Sequence, residues 1–217
     1  MSAKQLNIFV PTGLILLSLI PFLAGLVRLF GLLSGEAVTP ENARFVAVPL
    51  PVILHIITAS IFSILGAFQF APEFRRTNPT WHRLSGRLVV FCGLVVGFSG
   101  LWMTQFYSFT SFLQNDLLYI LRIIFGVGMI VSIVLAVMAI LRRDFKQHSA
   151  WMMRGYAIGQ GAGMQALVTI PWMLILGTPS DMTRALLMGA GWIINLAIAE
   201  WIIRKKPSYS NTKPALN

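Results

Sequence analysis

The sequence contains few charged residues, and this scarcity excludes an ordinary soluble domain. Only 11% of the 217 residues are charged, whereas 56% are hydrophobic. Soluble domains carry about 25% charged residues, so this chain lacks the polar surface that it would need to face water on all sides. Apolar runs of about 20 residues, the length of a membrane-spanning helix, occupy most of the chain. The composition therefore predicts one compact membrane domain.

Cysteine and the common catalytic motifs are scarce as well. Cys92 is the only cysteine, which excludes an intrachain disulfide bond and a cysteine-based metal site. Because it falls within an apolar run, we expect its thiol to be buried and to pack as a small apolar group. The chain has no nucleophile triad, carboxylate pair, phosphate-binding glycine loop or H-E-x-x-H zinc motif, so no catalytic residue is assigned and enzymatic activity stays open.

Six apolar runs predict a bundle of six transmembrane helices. They form a single domain over residues 1–206, and the polar residues 207–217 are predicted to be a disordered tail. The first run is far longer than the core of a cleavable signal peptide, about 7–15 residues, so we expect it to be retained as a span. The predicted spans are Ile8–Leu33, Phe45–Phe70, Leu88–Tyr107, Leu117–Leu141, Trp151–Leu176 and Ala185–Ile203.

Lysine and arginine are distributed unevenly between the two predicted faces. Of the 17 in the chain, all but four lie at the termini or in the two connections that follow the second and fourth spans. Cytoplasmic connections are enriched in lysine and arginine, so both termini and these two connections are predicted to be cytoplasmic, with the protein in the inner membrane. This topology explains the net charge of +10 without nucleic acid as a partner. The four exceptions, at or near the opposite face, are Arg28, Arg44, Arg122 and Arg184.

The two basic connections share a pattern of residues. Arg75–Arg87 (RRTNPTWHRLSGR) and Arg142–Arg154 (RRDFKQHSAWMMR) each contain two arginines, a histidine, a tryptophan and a final arginine that leads into the next span. Spans two and three form one predicted hairpin, and spans four and five form another. The two hairpins are therefore either weakly related parallel repeats or unrelated segments with the arginine and tryptophan common at the cytoplasmic face. If the hairpins are neighbours, His82 and His148 would face one another.

A pair of facing histidines suggests a bound cofactor. Two histidines can supply both axial ligands of a haem b, and arginines can pair with its propionates. The same groups can hold another metal ion, or the headgroup of an anionic lipid or a quinone. The candidate ligands of the haem or metal are His82 and His148. The candidate partners of the propionates or of an anionic headgroup are Arg83, Arg87 and Arg154.

His55 is the third histidine, and it lies deeper in the membrane, within the second predicted span. Its side chain is too short to reach the headgroups. It is therefore either a neutral histidine bonded to a neighbour or a functional group, which would be a haem or metal ligand or a proton relay. His55 belongs to the outer half of the membrane and the other two histidines to the inner edge, so one haem cannot use all three.

Other polar residues within the spans have structural explanations. We expect Arg28 and Arg122 to extend to the outer headgroups, and Glu200 to pair with Arg204 one helical turn later. Three side-chain amides are expected either to bond across helices or to line a polar cavity, namely Gln160, Gln165 and Asn195.

Glycines recur at four-residue spacing in the fifth predicted span, at Gly155, Gly159 and Gly163. Such a stripe lets helices pack closely, either within one chain or between the chains of a homo- or hetero-oligomer. The alternative is that the missing side chains make room for a flat cofactor.

A set of residues between about 50 and 170 is also found together in one protein family. It comprises His55, Gly66–Phe70, Arg75, Arg76, His82, Arg83, Gly86, Arg87, Gly100, Arg143, His148, Trp151, Met152, Arg154, Tyr156 and Ala157. With these residues the chain resembles the bacterial predicted multi-pass membrane proteins grouped as domain of unknown function 2306. Where that family often has an arginine, about nine residues after the tyrosine, this chain has Gln165. The resemblance brings no established activity with it, and it implies that the three histidines are the positions to test.

The sequence leaves two functional hypotheses. The first is a haem-b-binding electron-transfer protein that exchanges electrons with a quinone. The second is a non-enzymatic accessory or assembly subunit, or a small-solute permease, in which the polar groups serve packing or a solute pathway. The absence of a histidine pair within the spans favours the second hypothesis.

Overall fold

The computed structural model describes residues 3–110 and 113–205, and within these ranges all regular secondary structure is α-helical. The predicted all-helical class is therefore confirmed. The predicted disordered tail, 207–217, lies outside the described residues. The helices in chain order are α1 (Ala3–Ser34), α2 (Ala43–Ala47), α3 (Pro49–Gln69), α4 (Pro72–Thr77), α5 (Pro79–Phe106), α6 (Asp116–Leu141), α7 (Phe145–Gly159), α8 (Gly161–Leu176) and α9 (Asp181–Lys205).

Five helices in the described part of the chain are long and apolar enough to cross a membrane: α1 from Ile8 onwards, α3, α5, α6 and α9. The predicted fifth span is divided at Gln160 into α7 and the short apolar helix α8. Glycines on both sides of Gln160 weaken the helix there, and Asn195 of α9 donates a hydrogen bond to the carbonyl of Ala157 at 3.1 Å, just before the break. A sixth crossing, formed by α7 and α8 together, stays a prediction.

The two ends of the bundle are named here from the charge pattern. The inner end carries the two basic segments, and the outer end carries the connections that follow α1, α5 and α8. Hydrogen bonds join these outer connections to one another. The Tyr107 hydroxyl donates to the carbonyl of Val48 at 2.7 Å, and the Asn115 amide donates to the carbonyl of Asp181 at 2.9 Å. The outer connections therefore form one layer over the helices.

Both inner histidines lie within helices, which corrects the prediction that they belong to loops. The proline at position 79 begins α5 three residues before His82, because the first position of a helix does not need a backbone N–H. Asp144 caps α7, where its carboxylate accepts a hydrogen bond from the backbone N–H of Gln147 at 2.9 Å. His148 follows within the first turns of that helix.

The core of the bundle is packed by side chains from α3, α5, α6 and α7. Its centre contains Phe62, Val89, Cys92, Ile133 and Tyr156, all almost fully buried. The expectation that Cys92 is a buried apolar group is confirmed.

Glycines of the predicted stripe lie where other parts of the same chain come closest. A side chain at Gly159 would overlap the ring of Phe62, and one at Gly163 would overlap the backbone of Leu17 in α1. The stripe therefore packs helices within one chain at these two positions.

Candidate functional site

A cavity of about 410 Å³ extends from the outer end towards the middle of the bundle. Its volume lies within the range of small-molecule sites, about 300–1,000 Å³. Most of its wall is apolar, and the indole of Trp192 and the ring of Phe125 stack there with centroids 4.8 Å apart. The polar residues of the wall include Arg44, Arg122, Arg184, His55, Gln165 and Thr104.

Three arginines from three separate helices meet at the outer end of this cavity. Arg44 belongs to α2, Arg122 to α6 and Arg184 to α9. Arg122 and Arg184 both donate to the carbonyl of Leu113, at 3.3 and 3.1 Å. Arg44 and Arg122 both lie over the ring of Phe109, at 4.9 and 5.0 Å from its centroid. These shared contacts bring the three guanidinium groups into one cluster, called here the outer arginine cluster.

The cavity wall contains no aspartate or glutamate among the residues that the structure describes. Neither Arg44 nor Arg122 has a carboxylate within ion-pair distance in residues 3–110 and 113–205, although the charge of Glu41 attracts Arg44 and that of Asp181 attracts Arg184. Burial and the nearby charge of Arg28 lower the pKa of Arg44. Clustered cations away from water are costly unless an anion neutralises them.

One donor of the cluster is left without a partner. Arg44 Nε is buried and has no hydrogen-bond acceptor among the described residues. Arg122 is better satisfied, because it also donates to the side-chain oxygen of Gln114 at 2.6 Å. An unsatisfied buried donor is uncommon in a folded protein, so Arg44 Nε indicates a place where an acceptor is expected.

His55 lies in the wall of the same cavity, with its protonation pattern fixed by Ser99. The Ser99 hydroxyl donates to the carbonyl of Val95 at 2.6 Å, so its oxygen is the acceptor for His55 Nδ1, 3.0 Å away. We therefore assign the proton of the neutral ring to Nδ1, which leaves Nε2 as the acceptor. Gln165 is arranged similarly, because its amide nitrogen donates to the carbonyl of Met188 at 3.0 Å and leaves the side-chain oxygen as the free polar atom.

The predicted inner site is arranged differently. His82 and His148 are close enough for their charges to interact, as expected for neighbouring hairpins. His148 Nδ1 lies 2.9 Å from the carbonyl of Ala136, whereas His82 Nδ1 is buried without a partner in the described ranges. No group of three or more histidine, cysteine or acidic side chains that could hold a metal occurs in the described chain. The roles proposed for the inner histidines as haem or metal ligands stay predictions.

The arginines of the inner site are engaged elsewhere or exposed. Arg154 donates through Nε and Nη2 to the two carboxylate oxygens of Glu200, the second at 3.1 Å. Arg204, the predicted partner of Glu200, is at 4.0 Å. Arg83 and Arg87 are exposed. The structure therefore brings the two inner histidines together but does not gather the three arginines around them.

A family model described as "Predicted membrane protein (DUF2306)" matches residues 52–203. The chain belongs to this family. No curated protein and no solved structure matches the chain. In this DUF2306 protein the match begins within α3 and ends within α9, so it includes His55, Arg122 and Arg184 and leaves out α1 and Arg44. Membership confirms an integral membrane protein.

The outer arginine cluster is the feature that the sequence reasoning missed. Arg122 was expected to extend to the lipid headgroups, but its guanidinium is held by Leu113 and Gln114 beside the cavity. Arg28, expected to do the same, pairs with Glu36 at 2.8 Å. The sequence did contain a signal for this cluster, namely the four arginines at the face that has few positive charges. Three of these four line the cavity of this DUF2306 protein.

Proposed function

We propose that this DUF2306 protein is a membrane-embedded binding protein for an organic anion with an apolar body. The observation that carries the proposal is the convergence of Arg44, Arg122 and Arg184 on a cavity whose described wall has no carboxylate. A ligand carboxylate or phosphate would supply the missing anion. Arginine suits this task because its planar guanidinium group can donate two parallel hydrogen bonds to a carboxylate or phosphate. These bonds are stronger where water is excluded.

The apolar part of the ligand would occupy the inner portion of the cavity. The stacked rings of Phe125 and Trp192 offer a flat apolar surface there. Each buried CH₂ group of a ligand contributes about 0.8 kcal/mol, so a chain or ring system adds affinity that a free inorganic anion lacks. The site is therefore expected to prefer an amphipathic anion to inorganic phosphate.

The proposal is tested by thermal unfolding of the purified protein in a neutral detergent, with laurate, dodecanol or inorganic phosphate added. A ligand at 100 times its Kd stabilises a protein by about 2.7 kcal/mol. We expect laurate to raise Tm in a saturable manner and dodecanol to have no such effect. The rise is expected to be lost in Arg122→Gln and kept in Arg83→Gln, a matched change at an exposed inner arginine.

Phosphatidylglycerol, added to the same samples, separates a lipid headgroup from a free amphipathic acid as the source of the anion. Stabilisation by the lipid alone would assign the cavity to a headgroup, and stabilisation by phosphate alone would show that the apolar body is not needed. An equal effect of laurate and dodecanol, or an unchanged laurate effect in Arg122→Gln, would overturn the proposal.

The second candidate is haem b bound in the outer cavity, and it is favoured by the position of His55. This residue and the outer arginine cluster share one cavity, so His55 would hold the haem iron through Nε2 and the arginines would pair with the propionates. Bound haem would supply one-electron chemistry. Electron exchange with a quinone, and a haem on His82 and His148, stay predictions.

A visible spectrum of the protein from haem-sufficient cells, recorded with and without dithionite, tests this candidate. Reduced Soret and alpha bands that disappear in His55→Ala would support haem in the outer cavity. Bands that disappear instead in His82→Ala or His148→Ala would move the haem to the inner pair. A colourless protein would exclude both haem sites.

The remaining parts of the proposal concern location and transport. The distribution of lysine and arginine supports the cytoplasmic membrane with both termini in the cytoplasm. A permease would need a path from the cavity to the inner end, where Phe62, Val89 and Ile133 are buried against one another. This packing favours a binding protein, which is compatible with a role as an accessory or assembly subunit and, through its outer faces, with an oligomer.

A further inference from the structure

The two ends of the outer cavity offer opposite hydrogen-bonding chemistry. At the outer end the charged side chains are guanidinium groups, which only donate hydrogen bonds, and the hydroxyls of Thr104 and Tyr107 each donate to a backbone carbonyl. Further into the bundle the free polar atoms are His55 Nε2 and the side-chain oxygen of Gln165, and both are acceptors. A ligand with only an acidic head would satisfy the first set and leave the second set unpaired.

Ser99, in the neighbouring helix α5, determines that His55 Nε2 is a hydrogen-bond acceptor. The Ser99 hydroxyl of α5 donates its only hydrogen to the carbonyl of Val95, at 2.6 Å. Its oxygen therefore accepts from His55 Nδ1, and the neutral ring has no second proton to place on Nε2. His55 is only partly buried although it lies in a span, and it forms part of the cavity wall.

Resting on the proposed anion-binding function, we propose that the ligand carries a hydrogen-bond donor, a hydroxyl or an N–H group, that binds His55 Nε2. The ligand is thus an organic acid with an apolar middle and a donor group at its far end. Gln165 provides a second acceptor for a ligand that has two donors. An oxidised quinone, whose ring oxygens only accept hydrogen bonds, does not fit this end, whereas the hydroxyl of a quinol does.

The experiment compares saturated fatty acids with their ω-hydroxy counterparts, from hexanoate to myristate, by their effect on Tm. At the chain length that places the hydroxyl beside His55, we expect the hydroxy acid to bind about 3- to 10-fold more tightly than the plain acid, as one net hydrogen bond allows. The ratio of the two affinities is the measured quantity, because a general loss of stability leaves it unchanged.

Three variants test whether the ratio of the two affinities depends on His55. His55→Phe is expected to bring it to about 1, since the acceptor is gone. Ser99→Ala keeps the histidine but removes the group that fixes its proton on Nδ1, so the ratio falls part of the way. In Gly100→Ala the new methyl group would lie 3.4 Å from His55 Cε1, and the preferred chain should become shorter. Gly13→Ala in α1, whose methyl group would have no neighbour within 4 Å in the described chain, is the control.

The outcomes separate this inference from the function on which it rests. If laurate binds and depends on Arg122 while no ω-hydroxy acid gains affinity at any length, the inference is wrong and the anion site stands. A hydroxyl gain that persists in His55→Phe also overturns the inference. If no acid binds, the proposed function itself falls.

Discussion

The two ends of the bundle contain the same kinds of side chain but balance their positive charge in different ways. At the inner end Arg154 is paired with Glu200, and Arg83 and Arg87 are exposed. At the outer end Arg44 and Arg122 lie beside a cavity without a carboxylate in ion-pair distance among the described residues. The inner ion pair is thus formed within the protein, whereas the proposed function assigns the anion that neutralises Arg44 and Arg122 to a ligand.

The histidines extend this comparison. His148 and His55 both use Nδ1 for a bond within the protein, to a backbone carbonyl and to Ser99 respectively, which leaves Nε2 free in each. What differs is the surroundings, because His55 lies in the wall of a cavity that three arginines also line. A free histidine nitrogen is therefore a weaker indication of function than its combination with uncompensated charge.

The strongest expected effect concerns the ion pair at the inner end. Glu200→Gln leaves the guanidinium of Arg154, whose side chain is 23% exposed, without its carboxylate. We expect a loss of about 2 kcal/mol in the free energy of unfolding, since charged hydrogen bonds contribute more than neutral ones and the group stays partly buried. Denaturant titration in detergent measures it. Arg204→Gln is the control, because this side chain is 82% exposed and should change stability by less than about 0.5 kcal/mol.

The second effect is on binding at the outer end. Arg122→Gln removes one charged partner of the ligand, and we expect laurate affinity to fall about tenfold, or about 1.4 kcal/mol. Without ligand, Arg122→Gln should lower the free energy of unfolding less than Glu200→Gln does, because Arg122→Gln also removes repulsion within the outer arginine cluster. If the ligand-free variant is destabilised as strongly as Glu200→Gln, the outer charges are already compensated and the comparison between the two ends fails.

The sequence predicted those parts of the fold that depend on local pattern. Apolar runs of sufficient length identified the helices because a membrane span needs continuous hydrophobicity. The helical starts at Pro79 and Asp144 were predicted too late, because polar first turns were counted as loop although proline and a capping carboxylate begin a helix there. The break at Gln160 depends on its glycine neighbours and on Asn195 from another helix, so hydropathy did not reveal it.

The candidate site was harder to predict than the fold for the same reason. Arg44, Arg122 and Arg184 lie in three distant segments, each with an ordinary explanation at the membrane face. Only the folded chain brings them together, through their shared contacts with Leu113 and Phe109. His55 was singled out from the sequence as a residue of interest, but the cavity that it lines together with the arginines was not predicted.

The third effect tests the aromatic support of the outer arginine cluster. Phe109 lies within 5.0 Å of both Arg44 and Arg122, measured from ring centroid to guanidinium carbon. Each exposed cation–π contact contributes about 0.5–1 kcal/mol, so Phe109→Leu should cost about 1 kcal/mol in the ligand-free protein. With saturating laurate the cost should shrink, because the anion then holds the arginines. Phe98→Leu, at a side chain that is 60% exposed, is the matched control for loss of a ring.

The smallest effect is expected where the sequence first directed attention, at the inner arginines. Arg83 and Arg87 are exposed, and within the described ranges Arg83 Nη2 approaches the hydroxyl of Thr80 at 3.5 Å. Arg83→Gln and Arg87→Gln should each change stability by less than about 0.5 kcal/mol and leave laurate affinity unaltered. The informative exception is a protein that carries haem. If these variants lower haem content or shift its spectrum while Arg122→Gln does not, the propionates lie at the inner end. The roles assigned to the two ends would then be exchanged.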